Sequence, residues 1–317
     1  MDLNALISRK FSSFRQSYDA KDTILYALGV GAGADPLDKS DLPFVYEKLL
    51  RIIPSQASVL AYPGFWLSDP ELAIDWVKLL HGEQSIVFER SLKPTAAVRG
   101  EYEVLGIDDK GPDKGAVINF EKRIIDDEDG QLICRVRSTY FLRGDGGCGS
   151  WGQTALGPAA LPESAPDLVI DLPTIARQAL IYRLSGDYNP VHIDPDVAAE
   201  AGFDMPILHG LCTFGVACLG IVQHICNGDP DRLKEIFVRF SRPVFPGDTI
   251  RLELFEEGGT WRFRARAKER DQVVLDRCFL RLAGSGQLPH EAPSTRITAG
   301  SRSKPVSEGH ETVKVLG

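Results

Sequence analysis

Residues 210–226 read G-L-C-T-F-G-V-A-C-L-G-I-V-Q-H-I-C, and the architecture turns on what this run is. Its apolar side chains fall all round a helical wheel, the pattern of a helix enclosed by other structure. The apolar part, Leu211 to Val222, contains Gly215 and Gly220 and runs into Gln223 and His224. It is therefore shorter than the ~18 residues a membrane crossing requires. A buried helix is expected, and no membrane span. Directly after it come extended runs at Leu233 to Phe240, Asp248 to Glu256, Thr260 to Glu269 and Val273 to Ala283, separated by turns at 245–247, 257–259 and 270–272. One enclosed helix followed by four strands describes a sheet closed round a helix.

The same order of strands and turns occurs earlier, at Ser85 to Leu92, Arg99 to Ile107, Gly115 to Ile125 and Leu132 to Leu142. In the last run, Leu132, Cys134, Val136 and Leu142 alternate with Ile133, Arg135, Arg137 and Arg143, which gathers charge on one face. Ile86 to Arg143 and Ile236 to Leu282 correspond run for run, and Lys93-Pro94 answers Arg242-Pro243, so the chain carries an internal repeat. Helices are expected ahead of the first strands at Asp22 to Gly29, Ser40 to Ile53 and Asp69 to Leu80, the last closed by Gly82. Further helices are expected at Thr174 to Arg183 and Asp194 to Ala201. The fold class is α+β, a double hot-dog in which each half is an antiparallel sheet wrapped around a central helix. Residues 1–155 would form the first half and 156–285 the second. Residues 286–317, rich in Ser, Thr, Pro and Gly without apolar period, would be a flexible tail. The Gly- and Pro-rich stretch 144–173 reads as the connection. Gly144 to Gly149 fits G-x-G-x-x-G, but no helix opens there, so it is not a dinucleotide site.

Composition narrows the function classes. A chain of 317 residues with 43% apolar content can bury one large core or two medium ones. Its 36 basic and 44 acidic residues give a net charge of -8 with no basic block, which argues against nucleic acid. Six cysteines without a C-x-x-C pair suit a reduced compartment. No apolar leader opens the chain and it ends in Val315-Leu316-Gly317 rather than a peroxisomal address, so cytoplasm is the expected location.

The chemistry concentrates between Tyr182 and Cys212, Y-R-L-S-G-D-Y-N-P-V-H-I-D-P-D-V-A-A-E-A-G-F-D-M-P-I-L-H-G-L-C. Asp187, Asn189 and His192 put a carboxylate, a carboxamide and an imidazole on a loop shaped by Gly186 and Pro190. The carboxylate and the imidazole can converge on one water, the first accepting its proton and the second taking or returning another. G-D-x-N-P is also an ordinary turn, and alone it would carry no chemistry. Leu208-His209-Gly210 alters that balance. Gly210 opens the enclosed helix, and an unpaired N–H at a helix start, aligned with the dipole, stabilises an oxyanion. His209 would orient the loop. No H-E-x-x-H and no Cys and His cluster points to a metal.

The segment resembles the motif of the MaoC-like, R-specific 2-enoyl-CoA hydratases, also called hydratase 2. The similarity extends to Ile24 through Gly31, Leu80-His81-Gly82-Glu83-Gln84 and Arg239 through Gly247, which resemble the eukaryotic-type two-hot-dog members. It implies that Asp187 and His192 are the catalytic pair, that Asn189 fixes water or substrate, and that Gly210 N–H receives the thioester carbonyl. It further implies an N-terminal half that shapes the acyl pocket without catalytic residues of its own. The substrate would be an acyl-CoA, with CoA part of it and no other cofactor. Arg242 and Lys93 are candidates for the CoA phosphates, with Arg239 beside them, and Glu83 for an additional acid near the substrate. Glu47 matches a glutamate of the family, yet Arg51 four residues on makes a surface pair the simpler reading. A homodimer is compatible with the architecture. Two rivals stay open: a 3-hydroxyacyl thioester dehydratase acting on CoA or acyl carrier protein substrates, and a non-catalytic hot-dog protein that binds acyl thioesters.

Overall fold

The structure, a computed structural model, describes residues 1–153, 157 and 160–284. The chain opens with α1 (Leu3–Ser8), β1 (Phe14–Tyr18), α2 (Ala20–Gly29) and α3 (Leu42–Val45). Four long strands follow: β2 (Leu79–Phe88), β3 (Ala96–Asp109), β4 (Ala116–Asp126) and β5 (Leu132–Leu142). After a short β6 (Trp151–Gly152) come β7 (Leu168–Pro173), α4 (Gln178–Tyr182), α5 (Pro195–Glu200) and α6 (Gly210–His224). Then β8 (Leu233–Phe240), β9 (Thr249–Glu257), β10 (Thr260–Ala267) and β11 (Gln272–Leu282) complete the second half.

The strands form one antiparallel sheet in the order β1-β3-β4-β5-β2-β8-β11-β10-β9-β7, with β6 against β3. Each half mirrors the other about the β2–β8 seam, where Ile86 faces Ile236. The repeat seen in the sequence is thus a repeat of topology, and the molecule is a double hot-dog. One core cluster draws on both halves, with Ile86 and Val136 from the first and Phe214, Ile236 and Leu275 from the second. A second, smaller one gathers Leu6, Trp66, Leu72, Ile107 and Phe120.

Every residue of α6 from Cys212 to Val222 is buried. Gly215 is there because a Cβ would fall 2.3 Å from Val30 Cγ1, where the end of α2 crosses the helix. A helical glycine costs ~1 kcal/mol in propensity, whereas each buried Leu, Ile, Val or Phe contributes ~1.5–3 kcal/mol. Enclosure therefore decides the conformation of this run.

The first half departs from the expected helices. Residues 40–53 form only a turn at Lys39–Asp41, α3, and a turn at Glu47–Leu49. Pro43 removes a donor, and Leu42, Tyr46 and Leu49 point to solvent, so no wall rewards a longer helix. Residues 69–80 form tight turns at Pro70–Leu72 and Trp76–Lys78, broken at Ala73 by a left-handed φ of 47°, and β2 already starts at Leu79 opposite Leu142. Where the second half holds α6, the first half holds a single tight turn, Pro54–Ser58, packed on α6, β2 and β5. The stretch read as a connection contains β6 and β7. The expected tail lies outside the described residues. Among them no helix is long and apolar enough to cross a membrane.

Candidate active site

The loop between α4 and α5 is fixed by its own short polar side chains. Asp187 Oδ1 accepts from Asn189 N–H at 3.2 Å, and Asn189 Oδ1 accepts from Val191 N–H at 3.1 Å, capping the turn Pro190–His192. The turn sends the His192 ring inward, where it is 9% exposed. Its Nδ1 lies 2.9 Å from the carbonyl oxygen of Ile207. A carbonyl only accepts, so Nδ1 carries the hydrogen and Nε2 keeps its lone pair. Burial holds the His192 pKa below the ordinary histidine value, against the pull of the Ile207 carbonyl and the Asp187 charge.

His209, the residue capping α6, stacks on His192 with ring centroids 3.7 Å apart, and its Nε2 donates to the backbone carbonyl of Asp187 at 3.2 Å. Burial, followed by repulsion from His192, pushes its pKa down to about 4. One ligand atom each of Asp187, His192 and His209 lies within 4.8 Å of the others. Gly210 follows as the first residue of α6. Its N–H therefore has no carbonyl one turn back to bond, and the residue is exposed. The structure thus brings Asp187, His192, His209 and Gly210 to one place, while the Asn189 carboxamide oxygen serves the turn that presents His192.

The first half supplies groups that motif reading passed over. A Cβ on Gly210 would touch the Phe240 ring at 3.4 Å. Phe240 in turn meets the His81 ring at 5.2 Å, and His81 meets Tyr140 at 5.1 Å. His81 Nε2 donates to the carbonyl of Glu83 at 3.1 Å, at a register shift in β2 that turns the ring toward this corner. Burial drops its pKa to about 4, opposed in part by the Asp187 charge. The tripeptide Leu-His-Gly, at residues 80–82 and again at 208–210, was the signal for it.

The remaining candidates sit elsewhere. Glu83 is 6% exposed and accepts from both Nε and Nη2 of Arg239, at 2.8 and 2.6 Å, across the seam. Lys93 Nζ binds Asp126 at 2.9 Å, with Glu128 at 3.7 Å. Arg242 is exposed, two residues beyond Phe240, and has no acidic partner among the described residues. Arg51 pairs with Asp229 at 2.6 Å rather than with Glu47. A depression of about 540 Å³ lined by Arg9, Lys10, Asp69 and Glu71 is built from α1 and the 69–72 turn, which contribute nothing to the Asp187 loop.

Residues 16–144 match the MFE-2 hydratase 2 N-terminal domain and residues 158–277 the MaoC like domain. Over 293 residues the chain is 39% identical to enoyl-CoA hydratase 2, peroxisomal, of Arabidopsis thaliana, covering 85% of this chain and 92% of that one. It is 40% identical over 268 residues to 3-hydroxyacyl-thioester dehydratase Y of Mycobacterium tuberculosis, covering 81% and 90%. The crystal structure of a MaoC-like dehydratase from Phytophthora capsici superposes with a TM-score of 0.79 at 32% identity, covering 90% of this chain and all of that one. With both domain models in order along one sheet and relatives matched over nearly their whole length, the chain belongs to the MaoC-like enoyl-CoA hydratase 2 family.

Proposed function

We propose that this enzyme adds water across the double bond of a trans-2-enoyl-CoA to give the (3R)-3-hydroxyacyl-CoA, reversibly. The observation that carries the reading is the convergence of Asp187 and His192 beside the amide that opens α6. The thioester carbonyl accepts from Gly210 N–H. Water is held between the Asp187 carboxylate and His192 Nε2, which is neutral near pH 7 because burial disfavours the imidazolium. As the water oxygen bonds to C3, its proton passes to Nε2 and the π electrons move toward the thioester oxygen. The imidazolium, made a stronger acid by the same burial, returns a proton to C2. One C–O and one C–H bond form, and the C=C π bond is lost. An oxyanion donor contributes ~3 kcal/mol and a positioned acid or base ~10² to 10⁴ in rate.

Arg242, exposed and without an acidic partner among the described residues, is the residue we assign to the CoA phosphates. Lys93 and Glu83 are committed to Asp126 and Arg239, which favours structural roles for both. CoA belongs to the substrate, and no other cofactor or metal is part of the proposal. His192 Nδ1 and His209 Nε2 are already held by carbonyls, and the proposed water takes His192 Nε2 and the Asp187 carboxylate. Dialysis against a chelator is expected to leave turnover unchanged. Crotonyl-CoA and longer enoyl-CoAs, followed by loss of the conjugated thioester absorbance with chiral analysis of the product, test the reaction. Absence of hydration across the panel overturns it.

The same groups run backwards dehydrate a 3-hydroxyacyl thioester, and the M. tuberculosis relative carries that name. Comparing CoA with acyl carrier protein substrates in both directions separates the readings. A hot-dog protein that only binds acyl thioesters would be stabilised by ligand without turnover. A homodimer and a cytoplasmic location complete the proposal, against relatives named peroxisomal. Sedimentation of the full chain, and imaging of an internally tagged copy in its own cells, test them.

A further inference from the structure

Lys122 of β4 is a buried amine with no carboxylate partner among the described residues. Its register neighbours are Tyr102 on β3 and Val136 on β5. Nζ donates to the carbonyls of Ser58 at 2.9 Å and Leu60 at 2.5 Å. Tyr102 Oη donates to the carbonyl of Ala61 at 2.8 Å, and Gln16 Oε1 accepts from Ala61 N–H at 2.6 Å. Four residues of backbone, 58–61, are thus clamped onto the inner face of the sheet. Ala61 itself is held at a left-handed φ of 47°, a conformation that persists only where the surroundings impose it. Gly100 leaves the room, since a Cβ there would lie 2.3 Å from Tyr102 Oη and 3.0 Å from the Ala61 Cβ. A neutral amine has two N–H groups for these two carbonyls, while an ammonium would leave a third unserved. Burial accordingly lowers the Lys122 pKa to about 7. An apolar side chain would fill this site with no such desolvation cost, so what the lysine supplies is its grip on the backbone.

The clamped segment continues the turn Pro54–Ser58, which packs on α6. At one end Ser55 accepts from Tyr26 at 2.9 Å and lies beside Cys218, two turns into α6. At the other end Tyr62, 47% exposed, stands in the fields of Asp187 and Tyr140.

Resting on the hydratase reading, we propose that the acyl chain beyond C3 runs past Asp187 to Tyr62 and that Lys122 is a positioning residue for acyl-chain selection: it clamps residues 58–61 and so sets Tyr62 as the wall the acyl chain meets. The test uses the full chain and trans-2-enoyl-CoAs of four to sixteen carbons. Lys122→Met keeps an unbranched apolar stem and removes the donor. The ratio of kcat/KM for the longest to the shortest substrate is expected to shift at least tenfold, carried by KM for the long ones. In hydrogen exchange read by mass spectrometry, the amides of 58–62 should exchange at least tenfold faster while those of α6 and β8 keep their protection. Tyr62→Ala should reproduce the shift in ratio without the change in exchange, and Tyr102→Phe a smaller shift in the same direction. If Lys122→Met does not fold, those two variants decide. An equal loss at every chain length, an unchanged ratio, or unchanged exchange at 58–62 overturns the proposal. Should the wild type hydrate none of the panel, the hydratase reading fails, and the exchange result still judges the clamp.

Discussion

His192 has one ring nitrogen committed to Ile207, and that commitment leaves Nε2 with the lone pair that can accept a proton. Asp187→Asn removes the charge beside the water and His192→Gln removes the proton carrier. Each is expected to lower kcat by at least ~10² with KM within a few-fold, because the proposed role of both groups is on the reacting water rather than on CoA. Steady-state kinetics on the purified variants check this, and wild-type turnover in both would remove the mechanism. Since burial lowers the His192 pKa, kcat/KM should be flat near neutrality and fall only at pH values below the ordinary histidine value; a fall beginning above it contradicts a desolvated imidazole. Lys122 makes the complementary prediction for stability. In the unfolded chain it stays protonated up to about pH 10.4, whereas in the fold it loses its proton at about 7. The unfolded state binds the extra proton between these limits, so this contribution rises with pH, by up to ~1.4 kcal/mol per unit, and is lost as pH falls to 7. The stability difference between wild type and Lys122→Met in urea should therefore grow from pH 7 to pH 9, and a difference that stays flat would show a charged lysine.

Among the elements, α6 offers the most direct test of backbone chemistry. His209 has φ -56° and ψ 136°, the conformation favoured before proline, and the first helical position tolerates proline because its N–H has no partner in the helix. Gly210→Pro therefore keeps the helix and deletes the proposed donor. We expect the melting temperature to change little and kcat to fall by roughly 10² to 10³, while Gly210→Ala, which retains the N–H and meets Phe240 at van der Waals distance, should fall much less. Equal losses in the two variants would assign the effect to the added side chain. The same helix shows what was legible in the sequence. Its apolar run, and strands such as Leu132 to Leu142, are recorded in residue chemistry because each contacts the core along its whole length. The helices expected at 40–53 and 69–80 were periodic but unrewarded, since Leu49 and Val77 face solvent. In the site, Asp187, His192 and Gly210 were legible as a local motif, whereas His81 showed only as a repeated Leu-His-Gly and Lys122, away from the site, not at all. Their places are set by strand pairing, and a single sequence carries no register between strands so far apart in the chain.

At the scale of the whole molecule, the seam carries the argument. Glu83 and Arg239 pair directly across β2 and β8. Arg239→Met strands a buried carboxylate, at a cost of ~3–5 kcal/mol. Glu83→Gln retains an acceptor for the guanidinium and should cost ~1–2 kcal/mol. Equilibrium urea unfolding of both variants measures the difference, and equal costs would mean that the carboxylate is not held by its partner. The His81 and His209 rings, each with a pKa near 4, add a shared pH response. Their neutral forms contribute stability that is complete above about pH 6.5 and is lost as pH falls toward 4.

The mirrored strand order has a corollary for how copies of this chain meet one another. Because β2 and β8 occupy equivalent places in the two halves, the pairing that closes one molecule on itself is the same pairing that β2 of one copy could make with β8 of a second. Opening the seam under mild denaturation therefore exposes two complementary margins, and refolding at high concentration is expected to yield exchanged dimers that carry the full complement of reactive groups at each junction.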